Sequence, residues 1–273
     1  MMIMIRILFL GEIVGRAGIT TVKKHLEELK KEYDVDYTIA NGEGATNGFG
    51  IGTQHAIQLS KNGINLITGG EKLFYKPDMV EFISKSSFIL RPMNYPMQSP
   101  GKSAKNITLK GKDILILNII GSAGFSRNNS NNPFSSIDGF LKKTNGTPII
   151  LVQFHAAMSA EKATMLHYLD GRVTALVGTH TKTLTADAKV TKNGTAFISD
   201  NGRVGSLMSV GGLDPQVEIN KNKTQIPERS KECWDDCVIQ GIIIDIDEDS
   251  GKCIGVTTIN KHCDVSAPKE NHL

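Results

Sequence analysis

Seven side chains sit just past short apolar runs and could do chemistry there: Glu12, Glu43, Glu71, Lys72, His155, His180 and Lys182. The runs are residues 5–10, 37–40, 65–68, 148–152 and 173–177, each with the length and flanks of a buried strand. In open α/β sheets ligands collect beyond the carboxyl ends of strands. Carboxylates and imidazoles converging from separate strand ends are the donor types that hold divalent transition metals. Taken singly, each has a plainer reading. A strand-end Glu commonly caps a helix or answers a salt bridge, and a buried His is usually a satisfied polar group. Five such ends in one chain are what point to a site. His25 and His167 fall inside helix patterns and are expected to be structural.

The elements that must position these residues alternate. A helix over residues 19–33 has Val22, Leu26 and Leu29 at helical spacing, and a second, capped by Thr53, runs to about residue 61. A third follows Pro77, then a short strand near Phe88. Strand, loop and helix in repeated alternation imply a parallel sheet with crossover helices. The middle of the chain adds a hairpin across Lys110-Gly111-Lys112. A long loop rich in Ser, Asn and Gly follows over residues 121–136, then a helix, a strand from 148 and a helix over about 160–168. Two further hairpins turn at Lys192-Asn193-Gly194 and Asp249-Ser250-Gly251, the stretch 218–232 is expected to be a charged surface loop, and residues 261–273 a polar tail. No internal repeat or long linker divides the chain, so the expectation is one mixed α/β domain over residues 1–260 with at least two sheets.

Composition sets outer limits. Of 273 residues, 40% are hydrophobic, 22% charged and 6% aromatic, which is ordinary for a globular chain and unlike a disordered or collagenous one. The 31 basic and 28 acidic residues give a net charge of +3, which marks no nucleic-acid surface. The start MMIMIRILFLGE is interrupted by Arg6 and lacks the cleavage site of a signal peptide. No stretch approaches the roughly 20 apolar residues of a membrane span, so a soluble cytoplasmic protein with no membrane partner is expected. Cys233, Cys237, Cys253 and Cys263 form no C-x-x-C pair and read as reduced thiols rather than a zinc site. The glycine-rich NGEGATNGFGIG has no P-loop lysine and opens no dinucleotide fingerprint, so its glycines read as close backbone passage past the site.

Seven blocks then become recognisable in order: GEIVGRAG, ANGEGATNGFGI, NLITGGEKLFY, LRPMNYP, FHAAMSAEK, LDGRVTALVGTHTKTLTAD and GTAFISDNGRVG. Through them the chain, over residues 5–259, resembles the bacterial calcineurin-like metallophosphoesterases of the YmdB type, which hydrolyse cyclic nucleotides such as 2′,3′-cAMP. The resemblance implies a four-layer α/β/β/α sandwich, two mixed β-sheets flanked by helices, with a dinuclear metal site at one edge. It also favours a homo-oligomer and a nucleotide or phosphate-ester ligand. Two ions about 3.5–4 Å apart would clamp the phosphate and generate the attacking hydroxide.

Carried over residue by residue, the family pattern is kept only in part. Glu43 stands at the bridging carboxylate, and His155 and His180 at the second ion's histidines. Glu12 replaces an Asp, Gly44 an Asn, Glu71-Lys72 an Asn-His pair, Phe74-Tyr75 a Trp-Asp pair and Lys182 the last His. The resemblance thus implies a second-ion set of Glu43, Glu71, His155 and His180, adequate for Mn, Fe or Zn. The first-ion set would be Glu12, Glu43 and Lys182. An ammonium beside carboxylates stays charged and cannot ligate, so Lys182 is expected where the first ion would sit. Lys72, at the general-acid position, has a reference pKa near ~10.4, far from neutrality. The expectation is a family member impaired in two-metal chemistry, with a binding or regulatory role and either one divalent transition ion or none. The alternative is a one-metal phosphoesterase on Glu43, Glu71, His155 and His180, with Lys182 stabilising charge on the phosphate.

Overall fold

Ile5, Ile7 and Phe9 point to one face of the first strand and Leu8 and Leu10 to the other, and all five are fully buried. A strand covered on both faces must lie inside a layered sheet. It does so in the computed structural model, which describes residues 4–125, 129–142 and 149–268. The chain runs β1 (Met4–Val14), α1 (Gly15–Glu32), β2 (Tyr37–Gly44), α2 (Thr53–Lys61), β3 (Leu66–Thr68), α3 (Pro77–Lys85), β4 (Ile89–Leu90), β5 (Ala104–Leu109), β6 (Lys112–Ile120) and α4 (Pro133–Leu141). It continues β7 (Ile149–His155), α5 (Ser159–Leu169), β8 (Ala175–Thr179), β9 (Lys189–Val190), β10 (Ala196–Ile198), β11 (Arg203–Ser206), α6 (Pro215–Thr224), β12 (Cys237–Asp247) and β13 (Cys253–His262).

These strands form two mixed sheets, one ordered β13-β12-β11-β1-β2-β3-β4 and the other β5-β6-β7-β8-β10-β9. Strands β1 to β4 run parallel, as do β6, β7, β8 and β10, while β12, β13, β5 and β9 are antiparallel to their neighbours. Three apolar layers hold the stack. Leu26, Leu59 and Ile83 of α1, α2 and α3 pack on the first sheet. Ile7, Ile39, Ile116, Leu151 and Ile244 fill the space between the sheets. Ile137 and Met165 of α4 and α5 cover the second sheet. The result is the α/β/β/α sandwich, and each fully buried Ile or Leu contributes on the order of 2 kcal/mol.

Several expected elements differ. The strands that carry site residues are longer than their apolar runs: β1 continues through Glu12 to Val14, β2 through Glu43 to Gly44 and β7 to His155. Residues 218–232 are not all loop, because α6 occupies the first part; Asp214 caps it through Gln216 and Val217 N–H and Pro215 takes its first position. The 121–136 stretch ends in α4, which Asn132 caps ahead of Pro133. Thr53 does not cap α2. Its own N–H is satisfied by Asp78 Oδ2 at 2.8 Å, a cap delivered from α3. At the end of the chain β13 reaches His262, and Cys263 and Val265 are buried. Residues 126–128, 143–148 and 269–273, which include part of the expected long loop, the first residue of the expected strand at 148 and the end of the tail, lie outside the described residues. Among the described residues no helix is long and apolar enough to cross a membrane.

Candidate functional site

The carboxyl ends of β1, β2 and β3 in one sheet and of β7 and β8 in the other meet at one edge of the sandwich. Register places Glu12 beside Asn41 and Asn41 beside Thr68, and His155 beside Thr179. Around Glu12 the β1–β2 register slips twice, an irregularity of the kind that re-aims side chains at a strand end. Side-chain contacts join the sheets here: Asn41 Nδ2 lies 3.3 Å from His155 Nδ1 and donates to Thr179 Oγ1 at 3.5 Å, and the Thr68 hydroxyl donates to Gln153 Oε1.

His155 is fully buried and is the hub. Its Nδ1 lies 2.8 Å from Thr179 Oγ1, and its Nε2 lies 2.8 Å from Glu71 Oε2 and 3.2 Å from His180 Nδ1. Glu71 Oε1 receives the Lys72 ammonium at 2.8 Å and faces His180 Nδ1 at 3.7 Å. Glu43, also fully buried, accepts the Gly70 N–H at 2.5 Å on Oε2 and the Lys72 N–H on Oε1. Lys182 Nζ lies 3.3 Å from Glu12 Oε1, which finds no hydrogen-bond partner among the described residues. The lysines thus divide the site: Lys182 answers Glu12 and Lys72 answers Glu71.

The loop carrying Glu71 is held tightly. Tyr95 Oη donates to the Gly70 carbonyl at 3.0 Å, and Asn118 Nδ2 donates to the Gly69 carbonyl at 2.8 Å. A Cβ on Gly70 would fall 2.3 Å from the His155 ring, so only glycine lets the loop pass there. The loop carrying His180 and Lys182 is strained, with φ of 108° and 60° at those two residues. Asp200 holds it, accepting Thr181 N–H on Oδ2 at 2.8 Å, and Asp200 is paired in turn with Lys162 at 3.1 Å, both fully buried. Arg203 Nη1 donates to the Lys182 carbonyl at 2.5 Å. Phe125 covers the imidazoles, stacked on His155 at 6.1 Å and edge-on to His180 at 5.0 Å between centroids.

Burial pushes the Glu43 carboxyl up to about 7, against the charge of His155 and with that of Glu71 and Glu12. Burial also pushes Glu71 upward, but the hydrogen bond and charge of His155 and the Lys72 ammonium outweigh it and hold the carboxyl well below the usual range. Desolvation lowers His155, yet the Glu71 hydrogen bond and surrounding carboxylates raise it above its ordinary value. His180 is pushed down to about 4 by burial and by the neighbouring His155 charge. Lys72 is likewise raised by Glu71 and Glu12 against its desolvation. The edge therefore sets the carboxyls of Glu12, Glu43 and Glu71 against Lys72, Lys182 and His155, with the Glu71 hydrogen bond favouring the proton on His155.

The donors fit one metal ion better than two. One ligand atom from each of Glu71, His155 and His180 lies within 4.8 Å of the others, and this set would hold a single divalent transition ion able to polarise a phosphoryl oxygen. Glu43 lies outside that group, with both oxygens on backbone N–H. The Glu12 end does not fit a second ion, because its nearest partner is an ammonium and Gly44 offers no side chain. Asn41, Thr179, Phe125, Lys162 and the role of Asp200 were not read from the sequence. Asn41 stands two residues before Glu43 in ANGEG and Asp200 lies in the SDNG block, the only signals available. His25 lies half-buried in α1 and His167 exposed on α5, both away from this edge.

Comparison with known proteins extends over most of the chain. Residues 8–259 match the model of a family described as YmdB-like protein. A 2′,3′-cyclic-nucleotide 2′-phosphodiesterase of Bacillus subtilis (strain 168) is 33% identical over 255 residues, 93% of this chain and 96% of that protein. A putative phosphatase/phosphodiesterase of Mycoplasma pneumoniae is 30% identical over 265 residues, 95% and 94% of the two chains. Among solved structures, one described as a novel phosphatase of Mycoplasma pneumoniae superposes with a TM-score of 0.90 at 29% identity over 96% of this chain and 95% of that one. A putative 5′-nucleotidase of Staphylococcus aureus shares the fold at 12% identity, with a TM-score of 0.60 over 97% of this chain and 56% of that one.

Proposed function

Because the chain belongs to the YmdB-like protein family, we propose that it binds a phosphate ester of the 2′,3′-cyclic-nucleotide class at this edge without carrying out two-metal hydrolysis. The observation that carries the reading is the Lys182–Glu12 pair at 3.3 Å, which puts a fixed ammonium where the resemblance implies a metal-bound histidine. Lys182 on Glu12 and Lys72 on Glu71 are the two ammonium groups of this edge, His180 is kept neutral by burial, and a phosphate anion can take up their charge as a point-charge pair. Lys72 stays protonated and cannot supply the near-neutral general acid that ester cleavage draws on. Calorimetric titration with 2′,3′-cAMP, with and without Mn(II), followed by chromatography of the incubated nucleotide, tests this. Binding with unchanged nucleotide is expected; turnover matching the Bacillus subtilis relative assayed alongside would overturn it.

One observation favours a second reading, a one-metal phosphoesterase: the donor atoms of Glu71, His155 and His180 already converge. On that reading Lys182 would stabilise charge on the phosphate. Mn(II) or Zn(II) loading would then give one bound equivalent that His180→Ala abolishes, together with hydrolysis above background. No bound ion after loading rules this second reading out.

A further inference from the structure

Beside this edge, a cavity of about 710 Å³ opens between the start of α1, the loop after β2 and the segment leading into β12. Its walls include Arg16, Asn47, Arg229, Lys231, Glu232 and Trp234, and none of the Glu71, His155 or His180 side chains. Ala267 and Pro268 of the segment after β13 complete the wall, and its 229–234 side is tied to the fold. Leu213 and Glu232 form an antiparallel bridge, the Lys231 carbonyl accepts the Asp214 N–H at 2.9 Å, and Cys233 N–H reaches the Gly212 carbonyl at 3.0 Å. Ser230 is tied to α6 through Glu218 and Lys221. Glu232 is already spent. It accepts the Arg16 N–H at 3.0 Å and its Nε at 3.1 Å, so carboxylate and guanidinium cancel. Arg229 and Lys231 have no carboxylate partner among the described residues, and both are exposed. Trp234 is half-buried, packed against the core layer under the first sheet, and is among the residues that line the cavity.

We propose that this cavity is a second binding site, for a nucleoside phosphate: the polyphosphate on Arg229 and Lys231, the base against Trp234. Its volume falls in the range of small-molecule pockets, and a surplus of two cations selects an anion. A free phosphate would use the cations alone; the indole is what favours a ligand carrying an aromatic ring. The assignment is independent of what binds at the Glu71–His155–His180 edge.

Trp234 is the only tryptophan in the chain, so its fluorescence reports on this cavity. ADP, adenosine and inorganic phosphate would be titrated in parallel, with calorimetry on the same samples. ADP should change the emission saturably, with adenosine and phosphate each binding at least about tenfold more weakly. The double variant Arg229→Glu/Lys231→Glu should weaken ADP by about tenfold or more, and the milder Arg229→Gln/Lys231→Gln several-fold, each with an unchanged circular dichroism spectrum. His180→Ala should leave ADP affinity unaltered. Absence of ADP binding at millimolar concentration overturns the proposal. So does an isotherm without a Trp234 response, equal affinity in the folded glutamine variant, or loss of binding in His180→Ala, which would move the ligand to the other edge.

Discussion

The Glu12 end of the site and the His155 end arise from the same sheet edge, yet they solve the problem of buried charge differently. At the Glu12 end one carboxylate meets one ammonium, and Gly44, packed against Glu12 and Val14, offers no donor. At the His155 end Glu71 is shared by the His155 imidazole and the Lys72 ammonium, and His180, kept neutral by burial, turns Nδ1 toward His155 and Glu71. The first arrangement satisfies charge and offers nothing to a metal. The second satisfies charge while keeping three donors together, so it can exchange a proton for an ion. On the proposed reading, a single cation takes the place of one ion while the donors for the other stay together.

Steric demand separates the two ends most sharply. Gly70→Ala puts a methyl group into the His155 ring, which is locked by Thr179 and Glu71, and should cost about 3 kcal/mol or more in urea unfolding. Gly44→Ala meets chiefly the Glu12 carboxylate at 2.7 Å, a side-chain end that can shift, and should cost about 1 kcal/mol. Equal costs would mean that both ends are equally rigid.

Removing the Lys182 cation comes next. Lys182→Met leaves Glu12, 1% exposed, as an unpaired buried carboxylate and should destabilise by about 2–3 kcal/mol, with most of the loss recovered in Lys182→Met/Glu12→Gln. Additive losses in the double variant would show that the pair does not couple.

Glu71→Gln tests the other end through pH. Glu71 has a depressed native pKa, so its stabilisation is present above its unfolded value near ~4.5 and is lost as pH falls below it. His155 has a raised native pKa, so its contribution is complete below its unfolded value near ~6.5 and is lost as pH rises through the native one. Stability of the native chain should fall on both sides of pH 5–6, and Glu71→Gln should flatten both limbs while lowering the maximum by about 2 kcal/mol. An unchanged profile would remove Glu71 from the account. The smallest change is expected from Lys72→Gln, within about 1 kcal/mol because Glu71 keeps His155, but with tighter Zn(II) binding as Oε1 is released.

Much of this was legible in the sequence because it is local. Apolar runs ending in Glu or His mark strand ends, and the Lys110-Gly111 turn, with φ of 49° and 79°, marks its hairpin directly. What sequence could not carry is pairing between distant segments. Asp78 satisfying Thr53, Lys162 bracing Asp200 under the His180 loop, and Phe125 covering two imidazoles all depend on tertiary placement. The α6 helix was missed for a different reason. It buries only Val217, so no apolar period announces it, although Asp214-Pro215 signals its start.

The central claim is that Lys182 occupies one ion position and leaves the other open. Metal content after Mn(II) loading, counted per chain in the native protein and in the variant Gly44→Asn/Lys182→His, tests it most directly. The account predicts at most one equivalent in the native chain and a gain of a further equivalent in the variant. Two equivalents in the native chain would contradict it.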